Sequence, residues 1–197
     1  QSNDNRPYGH TSYVIDKTLY PADHPYNWQV IGSLEDLQAA TLADVKEFFR
    51  KWYVPNNVTL VVSGDFDTEQ AKEWVKKYFD EIPRGEEIEP LKPRPGVVAT
   101  TKKLYHEDNF ATLPELTITF PTVEHYSKES YALNILAELL SDGKDSVLYQ
   151  QVASSDKLAP SVSAYNRSSE LAGVFGLKVR AFNDVDLDKV KASLDTA

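Results

Sequence analysis

The stretch that most restricts the fold is PRGEEIEPLKPRP, from Pro83 to Pro95, where four prolines stand among charged residues. Each proline fixes φ and removes a backbone donor, and the charges hold the segment in water, so neither a helix nor a paired strand can cross it. An extended, semi-rigid connector is expected over 84–96, with one folded part before it, 1–83, and another after it, 97–197. With 197 residues and 41% hydrophobic content, the chain can supply a core to each.

Before the connector, Thr41 and Asp44 form a capping pair, followed by Leu42, Val45, Phe48, Phe49 and Trp52 at helical spacing. Pro55 stops that helix and Asn56-Asn57 turns the chain. Val58–Ser63 is β-branched and apolar enough for a buried strand. A second helix is expected behind the cap Asp67, with Gln70 as its partner and Ala71, Trp74, Val75, Tyr78 and Phe79 on its apolar side. After the connector a strand is expected over Leu116–Phe120. Ser127 then caps a helix expected to bury Tyr131, Ile135, Leu136, Leu139 and Leu140, which Asp142-Gly143 ends. A further helix near Ser146–Val152, an antiparallel strand pair near Ser161–Asn166 and Gly173–Ala181, and a last helix behind Asp186 complete an α+β pattern. The stretches 64–72 and 183–191 both follow a strand and open a helix with acids, which shared capping chemistry accounts for better than duplication.

Charge and composition exclude several functions. Twenty-one basic against 30 acidic residues give a net charge of −9, which disfavours nucleic acid and anionic membrane surfaces as partners. Zero cysteines exclude disulfides, thiolate catalysis and cysteine-type zinc sites, yet leave the compartment open. No apolar run reaches the roughly 20 residues of a spanning helix. The sequence begins Gln1-Ser2-Asn3-Asp4-Asn5 and has no methionine, which suggests a piece of a longer protein.

Metal chemistry is nearly written twice. His106-Glu107-Asp108-Asn109-Phe110 matches H-E-x-x-H up to its last position, and Pro121-Thr122-Val123-Glu124-His125 matches H-x-x-E-H except at its first. Neither supplies two imidazoles one helical turn apart, so both are read as loop residues. His10 and His24, among tyrosines and prolines, are read as packing or turn histidines. Ser63-Gly64-Asp65 lacks the glycine pattern of a phosphate loop or nucleophile elbow and is read as a strand-to-helix turn. Asp142, Gly143 and Asp145 resemble a calcium loop only superficially, because Ala153 stands where its twelfth-position glutamate belongs.

Resemblance goes further than these motifs. The run from Leu34-Glu35-Asp36-Leu37 through Asp44-Val45-Lys46-Glu47-Phe48-Phe49 to Pro55-Asn56-Asn57-Val58 and Ser63-Gly64-Asp65 resembles the pitrilysin/insulinase-like zinc metallopeptidases, the inverted-motif family that includes mitochondrial processing peptidase. Asp4–Gly9, His24-Pro25-Tyr26 with Ile31-Gly32, Ala132–Gly143 and Ser146–Tyr149 extend the match over nearly the whole chain. The resemblance implies LuxS/mitochondrial-processing-peptidase-like metallohydrolase repeats, antiparallel sheets with helices packed on one face. It also implies that 1–83 ends a catalytic-type repeat just after its last zinc ligand, and that 97–197 starts a non-catalytic repeat. The helix Asn134–Leu140 would stand where the catalytic helix belongs, with only Glu138, a solvent-facing acid, and no histidine. No catalytic or metal residue is therefore assigned and no cofactor is expected in this chain; zinc belongs to the parent. The expected function is that of a non-catalytic fragment of a zinc metalloendopeptidase, with an inactive scaffold or substrate-presenting subunit as the alternative. Expected partners are a peptide or protein substrate and the remaining repeats of the parent, and a periplasmic home is one expectation for the compartment.

Overall fold

The computed structural model describes residues 5–197; Gln1–Asp4, which include Asp4 of the Asp4–Gly9 match, lie outside them. Two compact units divide the chain, residues 31–90 and, separately, the residues up to Val30 together with 91–197.

Helices α1 (Thr11–Leu19), α2 (Leu34–Ala39), α3 (Leu42–Trp52) and α4 (Thr68–Phe79) precede the connector. The last three belong to the smaller unit. Their starts follow the capping rule: Ser33 accepts from the Asp36 N–H, Thr41 and Asp44 bond reciprocally, and Asp67 accepts from the Gln70 N–H. Two sequence expectations fail in this unit. Val58–Ser63 pairs in no ladder among the described residues, and Phe48, Phe49, Trp52, Trp74 and Phe79 are exposed rather than buried against a sheet. The physical reason is shared: a strand exists only by pairing, none of the described residues pairs with 58–63, and helices without a sheet have nothing to cover. Along α3 the aromatic rings contact one another instead, Phe49 and Tyr53 with centroids 4.4 Å apart.

The larger unit is built on a three-stranded antiparallel sheet, β1 (Glu115–Thr122), β2 (Val162–Ser168) and β3 (Gly173–Arg180), in the order β1-β3-β2. Central β3 is apolar on both faces over Val174 and Phe175, as a strand covered twice should be. One face carries Val162, Ala164, Leu177 and Val179. It packs against Leu148 and Val152 and against Val190 and Leu194 of α6 (Leu187–Thr196). Between β1 and β2 lie α5 (Lys128–Ser141) and a π-helix, Tyr149–Ser155. Asp156 closes the π-helix: its carboxylate accepts from Ser193 Oγ and Gln151 Nε2, bonds that hold its pKa below the usual value.

Helix α5 corrects the sequence reading. Tyr131, Ile135, Leu136 and Leu139 are exposed, and only Leu140 of the expected stripe packs on the core. The buried face is small and polar, with Ser130 and Ala137 fully covered. Asn166 of β2 donates to Ser130 O and to Asn134 Oδ1, while Ser141 Oγ accepts from the Ala164 N–H. Short side chains let the helix approach β2 closely, and hydrogen bonds replace apolar contact there. The helix ends at Asp142 with Gly143 in the left-handed region at φ 73°, as the sequence indicates.

The opposite sheet face is covered by α1, which the sequence reading did not anticipate. Leu19 and Tyr20 pack on Ala172 and Val174. Next to them His24, fully buried, stacks on Tyr20 with ring centroids 4.5 Å apart. Its Nδ1 accepts the Tyr26 N–H and its Nε2 lies 2.9 Å from Arg94 O, the tautomer in which Nε2–H donates to that carbonyl. Arg94 is thus fixed at the far end of the proline-rich segment: its N–H donates to Leu171 O and its guanidinium pairs with Asp23 at 2.8 Å.

Candidate functional site

The near-motifs for zinc fall apart in space. His106 comes within 6.0 Å of His10 by ring centroid, but the rings are tilted and no third ligand among the described residues joins them. Asp108 spends its carboxylate on the main chain, accepting the N–H groups of Tyr8, Phe110 and Ala111, which lowers its pKa, Phe110 contributing most. In the second near-motif Pro121 lies within β1, and exposed His125 stacks on Tyr126. On α5, Ser130 and Asn134 face β2 and Glu138 is exposed. Among the described residues no three histidine, aspartate or glutamate side chains gather as metal ligands. That donor set does not fit a zinc ion. Asp142 is a helix C-cap, and Ser63-Gly64-Asp65 a turn leading to the α4 cap.

Cavities offer other candidates among the described residues. In the smaller unit a shallow one of about 370 Å³ runs between Leu60, Val62 and Phe66 and the α4 face of Ala71 and Val75. The other, about 320 Å³, lies in the larger unit between the first turns of α1 and the sheet. Helix α1 contributes Thr11, Ser12 and Ile15 to it; the strands contribute Tyr165, Arg167, Val174 and Lys178. Strand alternation sets this: 165 and 167 on β2 and 174, 176 and 178 on β3 point to the same face. Gly176 supplies the room, because a Cβ there would collide with the Tyr165 ring, which lies across β3.

Its electrostatics are unusual for an acidic chain. Among the described residues two cations line the cavity and no carboxylate does. Arg167 pairs from the side with Asp16 at 3.1 Å, whose pKa is raised by burial against the opposing pull of Arg167. Glu115 bonds Arg180 at 2.8 Å and lies 4.0 Å from the Lys178 ammonium, beyond hydrogen-bond distance. Burial also raises the Tyr165 phenol. Tyr8, on the rim, is immobilised three ways: its N–H bonds Asp108, its hydroxyl donates to Leu113 O at 2.9 Å, and the Arg180 guanidinium sits 4.1 Å from its ring centre. Sequence reading missed this cavity. Its only signal was the alternation Tyr165-x-Arg167 and Val174-x-Gly176-x-Lys178 within the strand pair it did identify.

A three-stranded antiparallel sheet with helices laid on it defines an α+β domain, and comparison with known proteins gives its family. The family described as the peptidase M16 inactive domain matches residues 39–196. This chain belongs to that family. The zinc protease PqqE of Helicobacter pylori is 29% identical over 175 residues, 87% of this chain and 39% of that protein. A crystal structure of a peptidase M16 inactive domain from Pseudomonas fluorescens superposes with a TM-score of 0.74 at 19% identity, over 98% of this chain and 46% of that one. The periplasmic protease PqqL from Escherichia coli gives a TM-score of 0.66 at 21% identity, over 98% of this chain and 22% of that one. The chain thus spans less than half the length of these relatives.

Proposed function

We propose that this chain forms a substrate-enclosing, non-catalytic portion of a zinc metalloendopeptidase, with 1–83 and 97–197 as parts of successive repeats joined by 84–96. The single observation that carries the reading is α5: in a chain of this family it turns Ser130 and Asn134 toward β2 where zinc chemistry would need histidines. Its partners are the remaining repeats of the parent and a peptide or protein substrate, and the zinc is held by the parent's other residues. A periplasmic location follows the PqqL relative; no described helix is long and apolar enough to cross a membrane.

The test joins metal analysis to an activity assay. Purified alone and dialysed, the chain should hold no stoichiometric zinc and cleave no peptide, while the full-length parent should do both. One tight zinc per isolated chain would defeat the reading. A zinc-free, inactive parent lacking H-x-x-E-H would instead select the scaffold or substrate-presenting role.

A further inference from the structure

We propose that the cavity beneath α1 binds a carboxylate, the C-terminal carboxylate of a peptide, with Arg167 and Lys178 as its cationic pair. The inference rests on the peptide-handling reading above.

Unused donors carry it. Among the described residues, the Arg167 guanidinium bonds only Asp16, through Nη2, which leaves most of its five N–H donors open. The Lys178 ammonium has no hydrogen-bond acceptor there, and neither does the Tyr165 hydroxyl. Ser12 and Thr11 add hydroxyls from the first turn of α1. An anion held at that turn meets the positive end of the helix dipole as well as two cations.

Charge and shape select the class. Asp16 and Glu115 offset part of the positive charge from outside the cavity, so what remains suits a monoanion better than a phosphate dianion. A planar carboxylate also matches the guanidinium fork. Ile15 and Val174 provide an apolar wall beside the cations. A C-terminal residue presents its carboxylate and its side chain from one Cα, which fits that juxtaposition, and about 320 Å³ accommodates one residue rather than a length of chain. The bonds to Asp108 and Leu113 fix Tyr8 on the rim, and the β3 ladder holds the Lys178 backbone.

Isothermal titration calorimetry on the 197-residue chain tests this with four probes: N-acetyl-leucine, the tripeptide Ala-Ala-Leu, its C-terminal amide, and Ala-Ala-Glu amide, whose only carboxylate is a side chain. The two free acids ending in leucine should bind saturably, and both amides at least roughly tenfold more weakly. The double variant Arg167→Gln/Lys178→Gln should abolish binding with an unchanged circular dichroism spectrum. Tyr165→Phe, which leaves the fold and both cations in place, should weaken it at least roughly fivefold. Equal affinity for acid and amide, no saturable binding of either acid, or undiminished binding in Tyr165→Phe and the double variant would overturn the proposal. Displacement by inorganic phosphate at lower concentration than by N-acetyl-leucine would overturn the carboxylate class. Tight binding of Ala-Ala-Glu amide would overturn the terminal carboxylate as the source. Binding of N-acetyl-leucine without Ala-Ala-Leu would overturn the peptide as ligand and leave the pocket's chemistry standing, which separates a failure of peptide handling from a failure of the site.

Discussion

Two glycines of β3 sit under different kinds of atom, and the difference is measurable. A Cβ on Gly173 would meet the Val123 carbonyl, a main-chain atom directly after β1, and Thr122 Oγ1; on Gly176 it would meet the outer end of the Tyr165 ring, which can swing away. Gly173→Ala should therefore cost about 3 kcal/mol in urea unfolding and Gly176→Ala only about 1 kcal/mol, since overpacking costs most where nothing yields. Gly176→Ala also displaces Tyr165 from the cavity. Tyr20 offers a pH test: burial, reinforced by the negative charge of Asp16, pushes its phenol up to about 12 from 10.0. An acid whose folded pKa is raised keeps its proton where the unfolded chain has lost it, so stability should fall as pH rises from about 10 to about 12. Ultraviolet titration should show a late-ionising tyrosine near pH 12 that is lost in Tyr20→Phe, whose stability should fall less over that window.

At the scale of elements, helix and strand positions were legible wherever capping and periodicity are local. Thr41 with Asp44, Asp67, Ser127 and Asp186 all cap the helices they announce, and the β2–β3 pair lies where alternation puts it. Which face is buried was not legible, because that depends on a neighbour and not on the helix. Helix α5 shows this: its apolar stripe is real but exposed, and its buried side is Ser130, Ala137 and the partly covered Ser141. Helix α1 escaped notice because Thr11–Leu19 lacks both a capping side chain and an acid in its first turn. The cavity was illegible for a related reason, since its residues come from strands and a helix about 150 positions apart. The energetics follow burial and not periodicity. Leu148→Ala, inside the core beside Val152, should cost about 2–5 kcal/mol in this chain. Phe49→Ala, at a side chain 51% exposed, should cost below about 1 kcal/mol. Paired thermal melts of the two variants decide it; a larger loss for Phe49→Ala would mean that α3 is covered after all.

At the scale of the whole molecule, the proline-rich segment is pinned at both ends and bare between them. Asn56 accepts from the Gly85 N–H and donates to Glu86 O, a methyl on Gly85 would strike Val54, and Arg94 is held as described. A glutamate-specific protease should therefore cut first after Glu87, at an exposed residue whose salt bridge to Arg84 is itself solvated. Peptide mapping of early digests checks this, and first cuts inside β3 or α5 would contradict it. The peg at Arg94 also has a mechanical meaning. Its amide, carbonyl and guanidinium are held separately by Leu171, His24 and Asp23, so a pull on the connector is shared among three anchors in parallel and does not peel one away after another. Tension is confined to the residues from Glu87 to Lys92, which act as a tether of about 20 Å at full stretch, stiffened by Pro90.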